Sequence, residues 1–360
     1  MGKHVIFMLH GMGSFDSDWE INSRDKLKQH AALYELPAFE RTLETNFSFF
    51  GITYNSVFAD WQKQWSDDAA AAAKAATQLG MESGLASELV KAAGAPSGNS
   101  FLQTHLLDVA LFHGFDILCQ QVQAHVAEQI VNRLLTDGQN NIPSWSVVAH
   151  SLGTAVIAET LNALFSHRIN GLRLPEANKP LLMAMVANAS RLLWNKNADF
   201  YSTKTRPVNQ MGEGICRHYL NIRHELDPVP LLKPFHPPPD HWFEADVDRA
   251  SSYLDISLDA NAVQSENVHS LDHYLSHPDV HVPLIRLLTR RPDIITDQEL
   301  VKQRKAWKKK TLQAQALSKA KTKLIGLANK ANDPLSAALA NWQRYRLEIS
   351  LKHPSDGEQT

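Results

Sequence analysis

The stretch Trp145-Ser146-Val147-Val148-Ala149-His150-Ser151-Leu152-Gly153-Thr154-Ala155 decides how the chain is read. A β-branched strand runs into a serine between small residues, and a helix-forming stretch follows from Thr154 to Phe165. Strand, serine and helix in immediate succession predict a turn so sharp that the serine Oγ stands clear of the sheet at a helix N-terminus. Strand and helix backbones pass close together in such a turn, so the residues two before and two after the serine must be small. Ala149 and Gly153 meet that need, although glycine is usual at both positions and Ala149 is a departure. The same residues would also serve a plain tight turn. What separates the two readings is whether acid and base partners follow.

Working outward, the 360 residues suffice for one large α/β domain with insertions or for two ordinary domains. A hydrophobic content of 44% supplies a buried core, and a net charge of −2 gives no global pull toward nucleic acid or membrane. Cys119 and Cys216 are too few for a disulfide framework, and no metal knuckle surrounds either, so a reducing, cytoplasmic setting is expected. Residues 1–9 read as a first core strand: the apolar run is too short for a signal peptide and lacks a cleavage site. Gly2 does not open a myristoylation signal, because Ile6 stands where serine or threonine is required. No stretch reaches transmembrane length, and a soluble protein is expected.

In chain order, residues 4–9 form a continuous apolar run, read as a strand buried on both faces of a parallel sheet, and His10-Gly11-Met12-Gly13-Ser14 follows. That glycine-rich loop lacks the ending of a P-loop and the spacing of a dinucleotide fingerprint. Residues 20–45 read as a helix and 50–58 as the next strand. From Trp61 to about Phe112 the composition turns alanine- and glycine-rich, consistent with a helical cap over a site or with fixed packing helices. Ile117, Leu118, Val122, Val126, Ile130 and Leu134 recur at helical spacing, so 115–135 is an amphipathic helix. Residues 181–187, 219–222 and 253–258 read as three further strands.

Two later stretches supply the partners. Glu225-Leu226-Asp227-Pro228-Val229-Pro230 follows a strand, and Pro228 holds Asp227 extended, a way to aim a carboxylate; Glu225 is the nearest substitute. Asn267-Val268-His269-Ser270-Leu271-Asp272-His273 follows the last strand. His269 precedes the helical run, His273 lies one helical turn on, and His277 stands beside Pro278; His269 is preferred as base, with His273 the alternative. Clustered histidines at 236 and 241 sit among prolines at the wrong spacing for a metal, so a loop is expected there.

On these stretches the chain resembles the α/β-hydrolase superfamily, and within it the lipase-like serine esterases. The resemblance spans roughly residues 3–290. It implies an α/β-hydrolase fold over 1–295, with a mostly parallel central sheet flanked by helices and a helical cap at 61–112. It further implies Ser151 as nucleophile, Asp227 as acid, His269 as base, and the backbone N–H groups of Met12 and Leu152 as an oxyanion hole. Carboxylic esters, with lipid or acyl chains, are the implied substrates, cleaved without metal or organic cofactor. Thioesterase, amidase or peptidase chemistry with the same residues, or a non-catalytic scaffold, are the alternatives. Residues 296–360 lie beyond the resemblance. Lys302, Arg304, Lys305, Lys308, Lys309 and Lys310, with Trp307, form a basic helical extension that could meet an anionic membrane, or simply pack one side on the domain; no nucleic-acid partner is expected.

Overall fold

A computed structural model of the chain describes residues 3–11, 19–34, 46–57, 116–136 and 144–308, the last with interruptions at 168, 192–193, 195–198, 209–211, 226, 228, 231–232, 239–241, 243–251 and 260–267. Among the described residues, six strands form one all-parallel sheet: β1 (His4–Leu9), β2 (Phe47–Ile52), β3 (Trp145–His150), β4 (Leu182–Val186), β5 (His218–His224) and β6 (Tyr253–Leu258), in the order β2-β1-β3-β4-β5-β6. The helices are α1 (Trp19–Ala32), α2 (Asp116–Thr136), α3 (Leu152–Ser166), α4 (Leu271–Ser276), α5 (Pro278–Thr289) and α6 (Asp297–Lys308). The fold is therefore α/β.

Side chains alternate across a strand, so a sheet covered on both faces needs strands that are apolar throughout. β1 meets that demand. Val5, Phe7 and Leu9 join Val147, Ala149, Met183 and Tyr219 on one face, packed by Leu118, Val122 and Val126 of α2 and Val156 and Leu161 of α3. Ile6 and Met8 join Val148, Ala184, Leu220 and Ile222 on the other, covered by Leu27 of α1, Tyr274 of α4, Leu284 of α5 and Leu300 of α6. The result is three layers with two cores.

The strand order reverses once. The chain steps outward from β1 to β2 and then returns to place β3 on the opposite side of β1. Connections leave β1 and β3 in opposite directions there, which makes their carboxyl ends the kind of switch point at which open parallel α/β sheets take ligands.

Two elements depart most from the sequence expectation. α1 stops at Ala32 and does not run to residue 45: Leu33 and Tyr34 close tight turns on the His30 and Ala31 carbonyls, and Tyr34 is tied by its hydroxyl to His281 Nε2 at 2.7 Å. β2 lies at 47–52 and not 50–58, because it pairs residue for residue with the six of β1, from His4 with Phe47 to Leu9 with Ile52. A helical turn occupies 55–57. His269 precedes the following helix, which Ser270 caps by accepting from the His273 N–H. The segment 61–112, including the expected cap, lies outside the described residues. So does everything beyond residue 308.

Candidate functional site

β3 ends at His150, and Ser151 takes φ 54° and ψ −125°, a conformation costly for any residue with a Cβ. Neighbouring bonds hold it there. The Ser151 N–H donates to the Val186 carbonyl at 2.9 Å, extending the pairing of β3 with β4 by one residue. The Ser151 carbonyl accepts from the Thr154 N–H at 2.9 Å and the Thr154 hydroxyl at 2.6 Å, and Thr154 Oγ1 in turn accepts from the Ala189 N–H. Ser151 thus stands as the N-cap of α3, with Leu152 as the first helical residue.

The small residues flanking the serine are explained by what they touch. A Cβ on Gly153 would lie 2.4 Å from the His10 carbonyl oxygen, so α3 can approach the end of β1 only through a glycine. Ala149 lies within the core on the α2–α3 face, and its methyl group fills space there. Gly11 is equally constrained: a Cβ would come within 2.8 Å of Ser151 Cβ and 2.9 Å of His150 Nδ1. The loop after β1 therefore lies directly against the serine. Tyr54, just past β2, fixes that loop by donating from its hydroxyl to the His10 carbonyl at 2.6 Å and stacking on the His10 ring. Met12 falls outside the described residues.

A chain of hydrogen bonds leads away from Ser151. Its Oγ lies 2.9 Å from His269 Nε2, and His269 Nδ1 lies 2.8 Å from Asp227 Oδ2. The carboxylate can only accept, so Nδ1 carries the ring proton and Nε2 is left to accept from the serine hydroxyl. Ser151 and Asp227 are fully buried and His269 is 4% exposed. Asp227 Oδ1 accepts from the Val229 N–H, and Oδ2 also accepts from the Tyr274 hydroxyl at 2.7 Å. Burial alone would raise the Asp227 pKa, but the adjacent His269 and the bonds from His269, Tyr274 and Val229 outweigh it and hold the carboxyl below its ordinary value.

His150 supports the arrangement from the other side. Its Nε2 donates to the His269 carbonyl at 2.6 Å, joining the end of β3 to the backbone of the histidine. Burial, reinforced by His269, lowers the His150 pKa to about 3, so this ring is a neutral donor.

The expected residues part company at His273. Its ring lies 5.4 Å from His224 and stacks toward Trp307 at 6.4 Å; burial lowers its pKa to about 4, and its Nε2 makes no hydrogen bond. His277 is a helix cap whose Nδ1 accepts from the Asp279 N–H. The carboxylate that meets His269 Nδ1 is that of Asp227. Trp307, which the sequence leaves open between membrane contact and packing on the domain, is buried against His273 and His277, and Arg304 ties α6 to Asp279. His236 is described, whereas position 241 is not. Among the described residues no group of three or more His, Cys, Asp or Glu side chains could hold a metal ion, and no helix is long and apolar enough to cross a membrane.

Sequence reasoning missed Tyr54, His150 and Tyr274. Their partners lie 44, 119 and 47 residues away, beyond any local pattern. A hydroxyl hydrogen-bonded to an imidazole that is itself backed by a buried carboxylate can lose its proton as it attacks an electrophile. No protein-family model matches the chain, and no curated protein matches it.

Proposed function

We propose that the chain is a serine hydrolase of the α/β-hydrolase type that cleaves carboxylic esters through an acyl-enzyme. The observation that carries this reading is the buried Ser151–His269–Asp227 hydrogen-bond chain, built on a serine in a strained turn at the carboxyl end of β3. Strain of that kind persists where surrounding structure over-determines it, and it clusters at reacting centres. The position at the strand-order reversal agrees with it.

In the reaction, Ser151 Oγ attacks the acyl carbonyl carbon while its proton passes to His269 Nε2. Asp227 holds the ring in the tautomer that leaves Nε2 free to receive it, and stabilises the imidazolium. The oxyanion is held by backbone N–H groups. Leu152 supplies one, since the first N–H groups of a helix have no intrahelical acceptor and sit at its positive end; Met12 supplies the other by analogy with the superfamily. His269 then returns the proton to the departing alcohol oxygen. Water, deprotonated by His269, opens the acyl-enzyme and releases the acid. No step calls for a metal or an organic cofactor.

Acyl-chain or lipid esters are the substrates we favour, from the resemblance to lipase-like esterases. The test is hydrolysis of a p-nitrophenyl ester series from short to long chains, together with fluorophosphonate labelling, by wild type and Ser151→Ala. Turnover and labelling that both vanish in Ser151→Ala support the reading. Labelling without ester turnover points to a thioester, amide or peptide substrate. A wild-type protein that neither turns over nor labels is a scaffold.

A further inference from the structure

Asp227 carries more hydrogen bonds than aiming one imidazole requires. Its Oδ2 accepts two of them at once, from His269 Nδ1 at 2.8 Å and from the Tyr274 hydroxyl at 2.7 Å. Tyr274 is fully buried, as is Asp227, so neither group exchanges this bond for one to water. Both donors come from one short segment. His269 precedes the Ser270 cap and Tyr274 lies in the first turns of α4, so the cap that sets the helix also sets the spacing between them.

We propose that Tyr274 is a positioning residue: by sharing Asp227 Oδ2 with the His269 ring, its hydroxyl sets how strongly the carboxylate holds a proton on that ring. A carboxylate oxygen that accepts a strong second bond carries less charge toward its first donor. The phenol therefore tempers the pair, keeping the His269 ring ready to give up the proton it takes from Ser151. It also blocks rotation of the carboxylate, since Oδ1 is fixed by the Val229 N–H and Oδ2 by Tyr274 even when the ring turns. Burial, and after it the charge on Asp227, push the Tyr274 phenol well above its ordinary range, so it remains a donor throughout the working pH range. The other titratable rings facing the cluster are His150 from the end of β3, 4.9 Å from the His269 ring, and His224 of β5 and His273 of α4, each 6.4 Å from Tyr274. His150 and His273 are held neutral by burial. Tyr274 and Val229 are thus the donors that bear on the Asp227 carboxylate besides His269.

The catalytic consequence rests on the hydrolase reading, whereas the coupling itself can be measured without turnover. In the full-length protein the His269 ring resonance is identified as the one absent from His269→Gln, and its titration is followed by NMR. Tyr274→Phe is expected to move the titration midpoint upward by about 0.5–1 pH unit. Site-specific 3-fluorotyrosine at position 274, a near-isosteric and more acidic phenol, is expected to move it downward. The acid limb of kcat/KM should follow both shifts, which a merely structural tyrosine would not produce. Coincident titrations for wild type and the fluorotyrosine protein overturn the proposal, and this arm stands even if Tyr274→Phe does not fold. If the titration shifts but wild type takes up no fluorophosphonate at Ser151, the coupling holds and the hydrolase reading fails.

Discussion

Two regions of the molecule bury histidines, and they differ in what the rings meet. At the carboxyl end of β3, both ring nitrogens of His269 are engaged, one with a hydroxyl and the other with a buried carboxylate. Along the seam where α1, α4, α5 and α6 cover the sheet, His30, His273, His277 and His281 are packed against one another's neighbours and against aromatic rings. The His30 and His281 rings stack at 4.7 Å, and Tyr34 donates to His281 Nε2 while His281 Nδ1 donates to the Leu275 carbonyl. Burial lowers the pKa of His30, His273 and His277 to about 4 and of His281 to about 3. Burial alone keeps a histidine neutral. What sets His269 apart is the buried Asp227 carboxylate against its Nδ1, which under the proposed mechanism would stabilise the charge the ring takes on during the reaction.

The largest expected effect separates two histidines four residues apart. His269→Gln is expected to lower ester turnover by about 10⁴-fold, whereas His273→Gln should change it by less than about threefold. Steady-state kinetics of the two variants decide the matter. Equal losses would mean that the seam takes part in the chemistry.

A smaller effect sharpens the contrast through pH. The seam histidines have folded pKa values near 3–4, below the unfolded value near 6.5, so the unfolded chain binds more protons throughout that interval. Their contribution to stability is complete above about pH 6.5 and declines as pH falls toward 4. The slope reaches at most ~1.4 kcal/mol per pH unit for each of His273, His277 and His281. Denaturant melts from pH 7 to pH 4.5 should show the decline, and His281→Gln should flatten it. A pH-independent midpoint would show that these rings are not held neutral.

The smallest expected effect lies at Tyr34. Tyr34→Phe leaves the buried His281 Nε2 without its donor and should cost about 1–3 kcal/mol, read as a lowered Tm. Ester turnover at a temperature well below the melt should stay at the wild-type value. Loss of turnover without loss of stability would link the seam to the site.

How far the sequence foretold this depends on the range of each interaction. The β3–Ser151–α3 turn was legible because every requirement is local: β-branched residues for the strand, small ones where backbones cross, a helix-forming run after them. Asp227 was legible through its proline. His269 and His273 could not be separated by spacing, because the distinction lies in Ser270, whose side chain caps the helix and leaves His269 outside it. The boundaries of α1 and β2 escaped for the same reason as Tyr54 and Tyr274. Their limits are set by contacts with β1, His281, His10 and Asp227, all remote in sequence.

The interior place of β1, between β2 and β3, turns the order of synthesis into a clock. β2 reaches one edge of β1 early, but the other edge pairs with β3, from Val5 opposite Trp145 to Leu9 opposite Ala149. Those partners are separated by 140 residues of chain, so at ribosomal speed β1 waits on the order of ten seconds with that edge open. During the wait, a strand apolar on both faces is a template for any other extended segment. Yield on expression should therefore respond to translation rate and chaperone supply more sharply than the stability of the finished fold would suggest.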